Sequence, residues 1–86
     1  MKLKTIFGQN VKYYRYRKRF TQERLGELLN ASPNYIGRIE RGQHTLSFDK
    51  IETLAKILGI EVFELFVKRE QAQKLPFRVD MASKNE

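Results

Sequence analysis

The chain has 86 residues, a length that suits one small domain with a single core. Apolar residues make up 41% and charged residues 31%, a mix too hydrophobic for intrinsic disorder and too interrupted by charge for a membrane span. A formal charge of +7 favours a polyanionic partner, whether DNA, RNA or an anionic membrane surface.

Met1 to Thr5 begins like a signal peptide, but Gln9, Asn10 and Lys12 break any apolar run before a cleavage site, so a cytoplasmic protein is expected. Without cysteine there is no disulfide framework and no thiolate metal site, and the single histidine, His44, cannot build a histidine cluster. No metal and no cofactor are expected.

The first predicted helix runs from Leu3 to Lys18, with Leu3, Phe7, Val11 and Tyr14 along one face. Thr21 is placed to cap a second helix, about Gln22 to Leu29, and Phe20 and Leu25 have the spacing of a hydrophobic staple. Leu25, Leu28 and Leu29 form its expected buried face. Ser32-Pro33 is the clearest local signal, because serine caps a helix and proline at the first position loses only an N–H that had no partner. The third helix should end near Arg41, with Gly42 in the left-handed position beyond it and Ile36 and Ile39 facing inward.

Ser47 opens a fourth helix, Leu46 and Ile51 are spaced as a staple, and Ile51, Leu54, Ala55 and Leu58 keep helical period until Gly59. A short fifth helix is predicted from about Val62, with Glu61 at its cap. The reading is therefore all-α, with a body over residues 1–68 and a short C-terminal tail over 69–86. Within the tail Leu75, Phe77 and Val79 are apolar and Pro76 ends any extension of the fifth helix, so the tail is expected either as a flexible segment or as an arm for self-association or a protein partner.

The stretch from Thr21 to Gly42, TQERLGELLNASPNYIGRIERG, resembles the helix-turn-helix of the phage-repressor and Cro-type (XRE-like) regulators of bacteria and phages. Arg15 before it and Ser47 with the Ile51 to Gly59 pattern after it extend the resemblance to roughly residues 6 to 66. Gly26 stands where that family usually has alanine, Asn30 where it usually has the turn glycine, and Arg19 where many members carry glycine. The resemblance implies a five-helix, lambda-repressor-like domain that binds double-stranded DNA and regulates transcription, with a recognition helix over 33–41 in the major groove.

On that resemblance Ser32, Asn34, Tyr35 and Arg38 are the candidate base contacts. Asn34 suits adenine and Arg38 suits guanine, while Tyr35 suits a thymine methyl or a phosphate. Ser32 is equally well explained as a helix cap, and Asn34 and Tyr35 as phosphate contacts. Gln22, Arg41, Gln43, His44 and Thr45 fall where family members meet the DNA backbone, and Gln22 also braces the recognition helix. Arg15 and Glu40 occupy the positions of a structural ion pair. Dimerisation on a palindromic operator is the family default, with Phe63, Leu65, Phe66 and Val67 as the expected interface unless the two phenylalanines only close the core.

No phosphate-binding glycine loop and no nucleophile with a base partner occurs, so an enzyme is not expected. The competing reading is an antitoxin-like protein whose DNA binding is autoregulatory and whose tail holds a protein partner.

Overall fold

Four α-helices and one short 3-10 helix make up the computed structural model, which describes residues 2–68. They are α1 (Leu3–Arg17), α2 (Gln22–Leu29), α3 (Pro33–Glu40), α4 (Phe48–Leu58) and the 3-10 helix Val62–Phe66. No strand occurs among the described residues. The expected fifth α-helix is thus corrected to a 3-10 turn of five residues, too short to propagate an α-helical hydrogen-bond ladder. The expected tail, with Leu75, Phe77 and Val79, lies outside the described residues.

The caps fall where small polar side chains stand at the helix starts. The hydroxyls of Thr21, Ser32 and Ser47 accept from the N–H groups of Arg24, Tyr35 and Lys50 at 2.9, 3.0 and 3.3 Å. Each satisfies one of the donors that a helix start leaves free. Glu64 closes the 3-10 helix in a related way, since its carboxylate accepts from the Glu61 N–H at 3.0 Å.

All four α-helices end alike. A left-handed residue follows each one, at Arg19 (φ 61°), Asn30 (φ 62°), Gly42 (φ 77°) and Gly59 (φ 72°). The next N–H in each case reaches back into the last turn: Phe20 to the Arg15 carbonyl, Ala31 to Gly26, Gln43 to Arg38 and Ile60 to Ala55. This is the Schellman arrangement, which uses up carbonyls that the helix cannot pair itself. Two of the four positions are glycine and bear no penalty; Arg19 carries a Cβ where the backbone disfavours one.

The core gathers Phe7, Val11 and Tyr14 of α1, Leu25 and Leu29 of α2, Ile36 and Ile39 of α3, and Ile51, Leu54, Ala55 and Leu58 of α4, closed by Leu46 and Leu65. Two residues assigned to buried faces depart from that reading. Leu3 is 60% exposed in the first turn of α1, and Leu28, at the edge of the α2 stripe, is 37% exposed.

α1 packs against both α3 and the 3-10 helix. The Phe7 ring stacks on Phe66 with centroids 5.3 Å apart. Buried Asn10 donates its side-chain amide to the carbonyls of Leu65 and Val67 at 3.0 and 2.8 Å. Tyr14 donates its hydroxyl to Glu64 at 3.2 Å. On another face Gly8 lets the end of α3 come so near that a Cβ there would collide with the carbonyl oxygens of Ile39 and Glu40.

Gly8→Ala separates two opposed effects. Helix propensity alone would stabilise α1 by about 1 kcal/mol. The collision with backbone should outweigh it and leave a net loss of about 1 to 3 kcal/mol, read as a lower denaturant midpoint at unchanged slope. A raised midpoint would mean that α1 and α3 are less closely packed.

Candidate nucleic-acid interface

Between α2 and α3 the chain turns through Asn30 in the left-handed conformation (φ 62°, ψ 50°). Asparagine is the side chain that tolerates this best after glycine. Gly26 is buried beneath the turn, and a Cβ there would collide with the Ala31 carbonyl oxygen. Glycine rather than alanine therefore matches the tight turn of this chain. The two helices it joins are held at a fixed angle by Leu25, Leu29, Ile36 and Ile39 in the shared core.

The far end of α3 is anchored by charge. Arg15 donates from Nε to Glu40 Oε2 at 2.6 Å and from Nη2 to Oε1 at 3.1 Å, a two-point pair. Its Nη1 donates to the Phe20 carbonyl at 2.9 Å, and the guanidinium lies against the Tyr16 ring, 4.8 Å from its centroid. Glu40 Oε1 also accepts from Gln22 Nε2 at 3.1 Å. The two charged side chains are 1% and 4% exposed, so one buried pair joins α1, the turn after it, the start of α2 and the end of α3.

With one side locked in this way, α3 presents the other outward. Ser32, Asn34 and Arg38 are exposed. The side chains of Asn34 and Arg38 make no hydrogen bond or ion pair with any described residue. Ser32 uses an oxygen lone pair as the cap and keeps its hydroxyl proton. Tyr35 is placed differently: it is half-buried, its hydroxyl donates to the Thr45 carbonyl at 3.0 Å, and its ring meets His44 edge-on at 4.7 Å. Its donor faces the loop rather than the free space above the helix.

Gln22 is half-buried at the start of α2, where its amide is tied to Glu40 and passes beside Gly37. Arg41, Gln43 and Thr45 are exposed in the loop after α3, with Arg41 Nε 3.4 Å from Gln43 Oε1. His44 is half-buried against Tyr35. The structure thus brings Gln22, the outward side chains of α3 and the loop 41–45 to neighbouring positions.

The expected interface residues divide. Phe63 is 66% exposed and Val67 is exposed, whereas Phe66 is half-buried on Phe7. Leu65 has no exposed surface, so its place is in the core and not on an interface. Sequence reasoning missed Gly8 and Asn10. Asn10 stands three residues from Phe7 on the apolar face of α1, which marks it as a buried polar group in need of partners.

The helix-turn-helix family model matches residues 11–65. The chain is 37% identical over 71 residues to the immunity repressor protein of Bacillus phage phi105, an alignment covering 77% of this chain and 49% of the repressor. It therefore spans about half the length of that relative. To the control protein C.SmaI of Serratia marcescens it is 32% identical over 69 residues, covering 80% of this chain and 82% of the other. Among solved structures, the restriction-modification controller protein C.AhdI from Aeromonas hydrophila superposes with a TM-score of 0.68 at 40% identity, over 73% of this chain and 91% of that one.

Removing the carboxylate of Glu40 leaves the Arg15 charge buried without its anionic partner. Glu40→Ala should cost about 3 to 5 kcal/mol of stability, seen as a large fall in the thermal midpoint. An unchanged midpoint with impaired DNA binding would move Glu40 from the frame to the interface.

Proposed function

Because the chain belongs to the helix-turn-helix family of DNA-binding transcriptional regulators, we propose that it binds a palindromic operator as a homodimer in the cytoplasm, with α3 in the major groove. The matched family and relatives are those of a regulator, not of an enzyme. What supports this reading is the outward pair Asn34 and Arg38, exposed and without a hydrogen bond or ion pair to any described residue, on a helix whose opposite face is fixed in the core. Groups kept free on a rigid element are what base reading requires.

Asn34 offers a donor and an acceptor together, as adenine demands in the major groove, and Arg38 offers a fork of donors, as guanine demands. They stand four residues apart, about 6 Å along the helix axis, and so address different base pairs. Ser32 adds its hydroxyl at the N-terminal edge. Gln22, Arg41, Gln43, His44 and Thr45 meet phosphates on either side and set the register of the helix on the duplex. The positive end of the α2 dipole, with its free N–H groups, favours the same anions.

Residues 1–68 form the DNA-binding domain, and residues 69–86 serve as an arm for self-association or for a protein partner through Leu75, Phe77 and Val79. The dimer forms through Phe63 and Val67, beside Val62, which together leave an apolar surface on the 3-10 helix and the segment after it. Two copies then place their α3 helices about 34 Å apart, one turn of DNA.

Selection of bound duplexes from a random pool at about physiological salt should enrich a palindrome. Arg38→Ala should lose preference at one base pair of each half-site, at a cost of about 1 to 3 kcal/mol. Enrichment that is unchanged in Arg38→Ala would remove it as a reader, and salt-sensitive binding with no enrichment would defeat sequence-specific recognition altogether. Phe63→Asp should shift the protein to the mass of a single chain in analytical ultracentrifugation while its helical circular dichroism stays the same. A wild-type chain that is already monomeric at micromolar concentration, with or without duplex, would overturn the dimer.

A further inference from the structure

The loop between α3 and α4 is fastened to the recognition helix at both ends. At its start Gly42, in the left-handed conformation (φ 77°), directs its own N–H to the Ile39 carbonyl at 3.0 Å and that of Gln43 to the Arg38 carbonyl at 2.8 Å. Farther along, the Tyr35 hydroxyl donates to the Thr45 carbonyl at 3.0 Å, and the His44 ring packs edge-on against the Tyr35 ring at 79°. Tyr35 is in the first turn of α3 and Arg38 a turn later, so the loop doubles back along the helix instead of leaving it. The ring of Tyr35 also packs on the core, which fixes the direction of the hydroxyl.

We infer that Tyr35 is a positioning residue for DNA binding and not a base reader: its hydroxyl and ring, with His44, hold the loop 43–45 at a set height beside the outward face of α3. The inference rests on the DNA-binding reading above and specifies how two parts of that interface are coupled. Phosphate contacts fix where a recognition helix lies on a duplex. Those made by a loose loop would first have to order it, whereas a loop clipped to α3 carries its phosphate contacts and the base-reading side chains as one rigid unit. The Tyr35 proton serves this purpose only while it faces Thr45, so the same hydroxyl does not donate to a base edge.

The test uses the full chain and the variant Tyr35→Phe, which removes one oxygen and leaves the ring on the core and on His44. In the free protein, amide order parameters at His44 and Thr45 should fall from the rigid range near about 0.85 toward about 0.6. Affinity for the selected duplex and for a scrambled duplex of the same length should both fall about five-fold, the worth of one hydrogen bond. The salt dependence should weaken by about one phosphate contact, while the selected bases stay the same. His44→Ala removes the ring contact and keeps the hydroxyl bond, but it also removes the phosphate contact assigned to His44 above, so it is read through the Thr45 order parameter alone. That value should fall, an unchanged value overturns the inference, and the variant carries the test if Tyr35→Phe folds poorly.

A changed base preference at any position overturns the inference, because Tyr35 would then read DNA. Wild-type affinity and salt dependence overturn it as well, whether or not the loop loosens. A wild-type chain that binds neither duplex refutes the DNA-binding reading itself, and that result is visible before any variant is measured.

Discussion

The buried pair of Arg15 and Glu40 is the constraint from which the arrangement of the other elements follows. Removing two charges from water costs several kcal/mol each, and the cost is offset only when geometry is good and every remaining donor and acceptor is used. Here both Glu40 oxygens accept from Arg15, one of them also from Gln22, and the remaining guanidinium edge is turned to the Phe20 carbonyl and the Tyr16 ring. A shift of α3 relative to α1 would strip partners from a charge that cannot reach solvent. Hydrophobic contacts in the same core tolerate sliding far better, because they are not directional. The pair therefore adds a directional requirement to the fit of α3 on α1 that the apolar contacts do not impose.

Gly8 makes that placement sterically accessible. It lies seven residues before Arg15, two turns away on the same side of α1, where the carbonyls of Ile39 and Glu40 touch the helix. A side chain at this point would hold the end of α3 away and stretch the ion pair below. On another side of α1, Asn10 and Tyr14 hold the 3-10 helix through Leu65, Val67 and Glu64. The apolar surface of Phe63 and Val67 is thus fixed to the same helix as α3. A dimer formed there would have a defined distance between its two α3 helices without any contact between them.

What could be read from the sequence follows from the range of each interaction. Caps and helix ends depend on residues within five positions of one another, so Thr21, Ser32, Ser47, Gly42 and Gly59 located the helices to within a residue or so. The ion pair spans 25 positions and was legible only through the resemblance of Arg15 and Glu40 to a known pattern. The partners of Asn10 are backbone carbonyls 55 and 57 residues away, which no side-chain pattern announces. Gly8 carries no such signal either, because its role is a close approach that exists only once α3 is in place. Tyr35 is a candidate base contact only through the same resemblance. Its real direction depends on a loop carbonyl, and every residue supplies a carbonyl, so the type of residue at Thr45 carries no signal.

The division of labour in α3 also bears on how many copies must act together. Its inward side is used by the core, its end by the ion pair and Tyr35 by the loop, which leaves Asn34 and Arg38 as side chains with forked donors or acceptors that no described residue engages. On the proposed reading, two such side chains would contribute about 1 to 3 kcal/mol of discrimination each. Specific sites are typically preferred over bulk DNA by about 4 to 10 kcal/mol, which one chain reaches only at the lower edge. The formal charge of +7 strengthens binding everywhere on the duplex, and so adds affinity without adding preference. In the proposed dimer a second copy would double the readers, with the fixed geometry of α1, α3 and the 3-10 helix holding both sets in register.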